Sequence, residues 1–399
     1  MKYLLFTLIV SCHWFVKTFA QDLNLVEKQK IADEAFAANN FEKASENYLY
    51  VFQNSNEETE EKGKIAYKIA ISKNYLGESE EAIKWFNISA DILYKLKKLD
   101  NYYIAKGRLA RVYDDIGNYT AAIEIGEEIV EYFKKQNDSL YAGKTQHNLA
   151  LYYYHDGETD KAIKTYSDAI AWIADLDDNL KSMSLNMLGN IWAVDLEDEK
   201  KALSYYKQSL VLKLKNAKPQ SISASYNNIG ISHKNLGDYD SALYNYKIAY
   251  DYALESKIPN EVFSPLVNLA NLYKRLGEMD KAITYYNKVL DIEKYLNVRE
   301  KLDIRLNLGM AYNDGKEFKK ALNQLKIAKK LAIENDNLKD HATIMAQISV
   351  ANNGLKQFEE AYQSQLTYNS LKDSLLAIEK AQDIAEQMIK YESAQKDLQ

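Results

Sequence analysis

The sequence predicts an all-α solenoid of about nine helix-turn-helix units followed by one C-terminal helix. Three observations predict it. Alanine recurs at Ala44, Ala82, Ala122, Ala162, Ala202, Ala242, Ala282, Ala321 and Ala361, in steps of 38, five of 40, then 39 and 40. Seven of these alanines precede Ile or Leu, and most are followed four residues on by an aromatic, so a whole unit is copied. Only 3 Pro and 14 Gly interrupt 399 residues, which leaves helix as the default state. Because a solenoid grows by adding units, this length does not imply separate globular domains.

Residues 1–20 precede the first unit and read as a secretory leader. Lys2 supplies the positive start, Tyr3 to Val10 the apolar stretch, and Thr18-Phe19-Ala20 a cleavage site before Gln21. His13 and Lys17 interrupt the run, which is too short to span a bilayer. Ile9-Val10-Ser11-Cys12 offers a lipoprotein route as the alternative, although His13-Trp14-Phe15 prolongs the apolar stretch past it. Either route expects an exported chain, periplasmic or secreted. Cys12 is the only cysteine, so the mature units must be held by packing. The formal net charge of −6 carries no block of like sign and argues against nonspecific nucleic-acid binding.

Ser225 to Ser256 shows one unit. Tyr226, Ile229, Gly230 and His233 recur at helical spacing, Leu236-Gly237-Asp238 breaks the run, and Ala242, Leu243, Tyr246, Ala249 and Tyr250 form a second helical run. Gly77, Gly117, Gly157, Gly237 and Gly277 each lie five residues before a marker alanine, where a left-handed residue would close the first helix. Asp160, Asp240 and Asp280, two before the alanine, are expected to help start the second helix. Small residues twelve before the alanine (Ala70, Ala110, Ala150, Gly230, Ala270, Gly309) face it across the hairpin, with tyrosines filling the space beside them. The first unit replaces the turn glycine with Asn39-Asn40, and the fifth carries one extra turn residue around Asp195–Lys200.

Asn268-Leu269-Ala270-Asn271-Leu272-Tyr273, Leu276-Gly277-Glu278 and Asp280-Lys281-Ala282-Ile283-Thr284-Tyr285-Tyr286 together resemble a tetratricopeptide repeat. The likeness recurs in register over residues 25–370, with a period of 40 rather than the family's roughly 34 and no terminal proline. It implies a right-handed superhelix whose first helices line the inner surface. The domain reading is a leader at 1–20, nine repeats at 21–370 and an amphipathic connector helix at 371–399, striped by Leu371, Leu375, Ile378, Ala381, Ala385 and Met388. Leu371 to Leu375 with Lys390-Tyr391-Glu392 resembles the connector of Bacteroidetes membrane sensors, where such repeats precede a histidine kinase or regulator output domain.

No catalytic constellation is expected. His147 and His155 stand two turns apart, about 12 Å along a helix, too far for one metal ion. Adjacent carboxylates such as Glu127-Glu128 and Asp177-Asp178 point to different sides of a helix. The informative polar signal is asparagine: Asn148, Asn228, Asn268 and Asn307 all fall fourteen residues before a marker alanine, with Asn186, Asn190, Asn227, Asn271 and Asn313 within a turn of that row. Lys68 and Arg108 take the same place in earlier repeats, and Lys234, Lys274 and Arg275 add positive charge. By the family resemblance this row lines the inner groove, where amides that donate and accept suit the backbone of an extended peptide. The expected function is thus a non-enzymatic scaffold for a peptide or partner protein, without cofactor, metal or nucleic acid. Membrane attachment is expected only through a lipid on Cys12 or a transmembrane segment beyond these residues. The alternative is the sensing region of a two-component or transcriptional regulator without its output domain.

Overall fold

The computed structural model describes residues 24–55 and 58–396; the expected leader at residues 1–20, with Cys12, lies outside them. Every regular element among the described residues is helical. The chain divides into two compact units at Ile191/Trp192. The first alternates α1 (24–37) with α2 (Phe41–Asn54), α3 (Glu60–Tyr75) with α4 (Ser79–Lys95), α5 (Leu99–Asp115) with α6 (Tyr119–Lys135) and α7 (Ser139–His155) with α8 (Thr159–Ile173). The division falls inside α9 (Asp178–Val194), which precedes α10 (Glu199–Asn216). The second unit continues with α11 (Pro219–Asn235) and α12 (Tyr239–Glu255), α13 (Phe263–Arg275) and α14 (Met279–Leu290), α15 (Val298–Asp314) and α16 (Phe318–Glu334), then α17 (Leu338–Gly354) and α18 (Phe358–Lys396). Most helices run 17 residues, the length that a 40-residue period allows. No break marks the expected boundary at 370/371, because α18 runs through it for 39 residues. None of the described helices is long and apolar enough to cross a membrane.

The alanine ladder is the hairpin contact. Ala44 through Ala321 are wholly buried and Ala361 is nearly so. Across from them Ala70, Ala110, Ala150 and Ala270 are equally buried. Where glycine takes this place the need is steric: a Cβ on Gly230 would lie 2.6 Å from the Tyr246 ring, and one on Gly309 would lie 2.7 Å from Leu325. Each second helix then packs on the next first helix, as α4 does on α5, α6 on α7, α12 on α13 and α16 on α17. First helices of successive repeats also touch, α5 with α7, α11 with α13 and α15 with α17, so their free faces form a continuous layer within each unit.

All nine hairpin turns place one residue in the left-handed region five before the marker alanine. Five are the glycines expected, at φ between 78° and 83°, and the rest are Asn39, Glu197, Lys316 and Lys356 at φ between 50° and 61°. The next residue caps the second helix, and Asn40, Asn118, Asp198 and Asp238 each accept a backbone N–H three residues on. Asp160, Asp240 and Asp280 are therefore not the caps; they sit in the first turn, where a carboxylate still favours the positive end of the helix dipole. The fifth turn has its extra residue, four between α9 and α10 where α11 and α12 are joined by three.

These turns yield a paired test. Gly237→Ala forces a Cβ onto φ 80° and is expected to destabilise its hairpin by about 1–2 kcal/mol. Lys356→Gly relieves the same strain and, net of glycine's greater unfolded-state freedom, is expected to stabilise its hairpin by about 0.5 kcal/mol. Amide hydrogen exchange across each turn measures both, and equal signs would contradict the shared backbone requirement.

Candidate interaction surface on the first helices

Two rows of side chains stand on the free face of the first-helix layer, fourteen and eleven residues before the marker alanine. The first holds Lys68, Arg108, Asn148, Asn228, Asn268 and Asn307, all half-buried except the exposed Arg108. The second holds Asp33, Arg111, Leu151, Ile231 and Asn271.

Much of the asparagine signal is spent on joining repeats. Asn268 Nδ2 on α13 donates to Asn227 Oδ1 on α11 at 2.8 Å. Asn313 Nδ2 on α15 donates to the Gln347 carbonyl at 2.9 Å and to its side-chain oxygen at 3.0 Å on α17. Asn190 contacts the Met187 sulfur at 3.8 Å, and Asn186 and Asn228 are also engaged. Asn271 accepts the Tyr286 hydroxyl. Asn148 and Asn307 alone among the nominated asparagines have amides without a hydrogen-bond partner among the described residues. Lys274 is half-buried, and burial pulls its pKa down from the ordinary lysine value, a shift that Asp314 partly offsets. Arg275 Nε donates to the Tyr239 hydroxyl at 2.8 Å.

A rule that the periodicity did not reveal governs the tyrosines four residues after the marker alanine. Their rings lie under the layer and their hydroxyls rise to the residue eleven before the alanine. Tyr48 donates to Asp33 at 2.5 Å, and Lys68 Nζ reaches the same oxygen at 2.6 Å. Tyr286 donates to Asn271 in the same way. In the fourth and sixth repeats the partner position is Leu151 or Ile231, and the Tyr166 and Tyr246 hydroxyls are buried without a partner. The signal was present in the sequence as a fifteen-residue Asp–Tyr and Asn–Tyr spacing.

Three of the four histidines among the described residues have structural partners. His155 Nδ1 lies 2.6 Å from Asp114 Oδ1, and His233 Nδ1 lies 3.0 Å from Asp238 Oδ2. His147 Nδ1 shares a 2.8 Å hydrogen bond with Ser184 Oγ, which also lies 3.2 Å from the Leu180 carbonyl. Burial, with the Arg111 charge nearby, lowers the His147 pKa to about 4. His341 is held low by burial and Lys329, and its Nε2 is buried without a partner. No group of His, Cys, Asp or Glu among the described residues is arranged to hold a metal ion. The adjacent carboxylates also serve packing: Glu127 accepts the Tyr153 hydroxyl, Glu128 meets Lys106 at 3.4 Å, and Asp177 caps Leu180 N–H at 2.9 Å.

The family model for the tetratricopeptide repeat matches residues 141–214, 221–294 and 261–329, and a domain of unknown function, DUF6340, matches residues 30–107. The photosystem I assembly protein Ycf3 of Synechococcus sp. strain CC9311 is 31% identical over 117 residues, 27% of this chain and 60% of that protein. The same protein from strain WH7803 is 32% identical over 108 residues, 25% of this chain and 55% of its own length. The chain thus spans a little over half the length of these curated relatives. Among solved structures, apo RapI superposes with a TM-score of 0.59 at 14% identity, covering 88% of this chain and 98% of that one. A signal transduction ATPase with a tetratricopeptide repeat sensor, from Pyrococcus horikoshii, gives 0.56 at 17% identity, covering 84% and 54%. Aspartyl phosphate phosphatase F from Bacillus subtilis gives 0.52 at 14% identity, covering 87% and 94%. At these identities the likeness is one of fold.

Two measurements test the surface chemistry. Tyr286→Phe removes a made hydrogen bond and is expected to cost about 1 kcal/mol, whereas Tyr246→Phe removes an orphaned buried hydroxyl and is expected to be neutral or stabilising by up to about 1 kcal/mol. Chemical denaturation of both variants reads the sign. His147 stays neutral in the fold to about pH 4, while unfolded histidine binds its proton below about 6.5. The unfolded state therefore takes up the extra proton, and this contribution, about 3 kcal/mol, is complete above pH 6.5 and lost as pH falls towards 4. His147→Gln should flatten the stability–pH slope in that window by up to one proton; an unchanged slope would exclude a buried neutral imidazole.

Proposed function

Because the repeat carried by residues 141–214 and 221–329 is the tetratricopeptide repeat, we propose that this chain is an exported, non-enzymatic scaffold that binds an extended segment of a partner protein along its first helices. The repeat gives a solenoid suited to protein–protein interaction. The observation that carries the finer reading is the pair of half-buried, unpartnered amides, Asn148 and Asn307, standing on helices whose neighbours are cross-linked by Asn227–Asn268, Asn313–Gln347 and His155–Asp114. A primary amide held in this way offers a donor and an acceptor together, which is what a strand of peptide backbone requires. Holding the surrounding side chains in place lowers the ordering cost of binding. The leader-like pattern of residues 1–20 is what supports the reading of export, under which a partner would be met outside the cytoplasm.

Replacing Asn148 and Asn307 together with alanine is expected to leave the melting temperature within about 1 °C, because neither amide bonds to the fold. The same change is expected to remove cross-linked partners, identified by mass spectrometry of the exported protein. Undiminished cross-linking would count against the surface, and a large fall in melting temperature would return these two residues to a structural role.

A further inference from the structure

The last hairpin lacks the neighbour that its second helix is shaped to meet. Residues three before and one after a marker alanine pack on the next first helix. The Phe318 ring of α16 fills the place that a Cβ on Gly354 of α17 would take, and Ile283 of α14 lies beside Gly315 at the end of α15. At the same two places α18 carries Phe358 and Tyr362, with no first helix beyond them among the described residues. Phe358, Tyr362, Leu366, Leu376 and Ile384 are 43–65% exposed. With Asn369, Asp373 and Lys380 they advance in steps of three and four that repeat after eleven residues, which draws one straight stripe along α18. This is the outer face, since Ala361, Ser364, Tyr368 and Leu371 on the other side are the residues that pack inward.

The first hairpin is finished differently. Helix α1 exposes Glu27, Lys30 and Glu34 along one side, a polar ending of the kind that keeps a stack of repeats soluble. The apolar ending at α18 is of the kind that marks an interaction surface.

The charges on the stripe indicate what covers it. Asp373 and Lys380 stand seven residues apart with Leu376 between them, and neither has an ion pair among the described residues. When a second α18 is turned antiparallel about an axis beside Leu376, each Asp373 meets the Lys380 of the other copy. A parallel pair would instead set Asp373 on Asp373 and Lys380 on Lys380.

We propose that two copies of this chain pair through the outer stripes of α18, antiparallel about a two-fold axis beside Leu376. Such an interface closes on itself, because each copy offers the same surface. Leu376 packs on its counterpart at the axis, and Ile384 lies over Leu366 and Asn369 of the second copy. At 39 residues, or about 58 Å, α18 is long enough for the stripe to be covered along its length. Burial of the apolar residues supplies the affinity, while the exposed ion pairs add little energy and set the direction. The pairing is independent of what the first helices bind.

The test is sedimentation equilibrium of the full chain over a concentration series, with circular dichroism to verify that each variant keeps its helix. The wild type is expected to reach the dimer mass below about 100 μM. Leu376→Glu brings two carboxylates together at the axis and is expected to raise the dissociation constant at least about tenfold. Asp373→Lys and Lys380→Asp are each expected to weaken the dimer about threefold, and the two together to restore it. A wild type that stays monomeric, leaving the stripe to some other partner, overturns the proposal, as does a dimer that Leu376→Glu leaves intact. A dimer unmoved by either charge change, or not restored by the exchange, overturns the antiparallel pairing. If Leu376→Glu fails to fold, the charge exchange decides alone.

Discussion

Everything else depends on how closely the two helices of each hairpin approach. In most hairpins a marker alanine on one helix meets an alanine or glycine on the other, and both are removed from solvent. Packing at this distance fixes the rotation of each helix about its axis, because only one stripe on each is small enough to meet the other. Once rotation is fixed, every other position is assigned: tyrosine under the layer, apolar residues between hairpins, and the rows eleven and fourteen residues earlier on the free face. The glycine variants of the contact show how little slack there is, with the Tyr246 ring occupying the space of the missing Gly230 side chain.

That fixed rotation turns polar side chains into repeat-to-repeat links. A side chain fourteen or fifteen residues before the alanine stands within reach of its counterpart one repeat on, so a chemically complementary pair will bond. Asn227 with Asn268, Asp33 with Lys68 and His155 with Asp114 are three chemically different links between the first helices of successive repeats, made at different positions along them. In a solenoid, where each repeat contacts only its neighbours, such links add to the interface term between units. They also bear on recognition, since a side chain already bonded to its neighbour has less capacity for a ligand. A row of like residues is therefore not a row of like function.

The fold was almost entirely legible in the sequence, because the period and the small-residue pair are one-dimensional records of hairpin packing. The turns were legible where glycine occupied the left-handed position and illegible where Glu197, Lys316 or Lys356 did, since tertiary packing imposes on those residues a conformation their side chains disfavour. The surface was legible only in part. Periodicity located the row containing Asn148 and Asn307, but it does not record whether an amide faces its neighbour or water. That distinction depends on which side chain stands opposite in the next repeat, a pairing between positions about 40 residues apart. Asn268 and Asn307 are identical in register; only the first meets another asparagine.

The two orphaned tyrosines extend the same logic. Tyr166 and Tyr246 keep hydroxyls that their repeats cannot satisfy, because Leu151 and Ile231 replace the polar residue that Asp33 and Asn271 supply elsewhere. A buried unsatisfied hydroxyl costs about 1–3 kcal/mol, and phenylalanine would fill nearly the same volume without that cost. Within this fold the tyrosine is explained only as one half of a pair. In these two repeats the apolar residue at the partner position leaves the core tyrosine without an acceptor. Their free face is apolar at Leu151 and Ile231, where the first and seventh repeats carry the polar Asp33 and Asn271. An extended chain exposes alternate side chains to one face, so a segment lying on such a face would be read by the side chains there as well as by backbone hydrogen bonds.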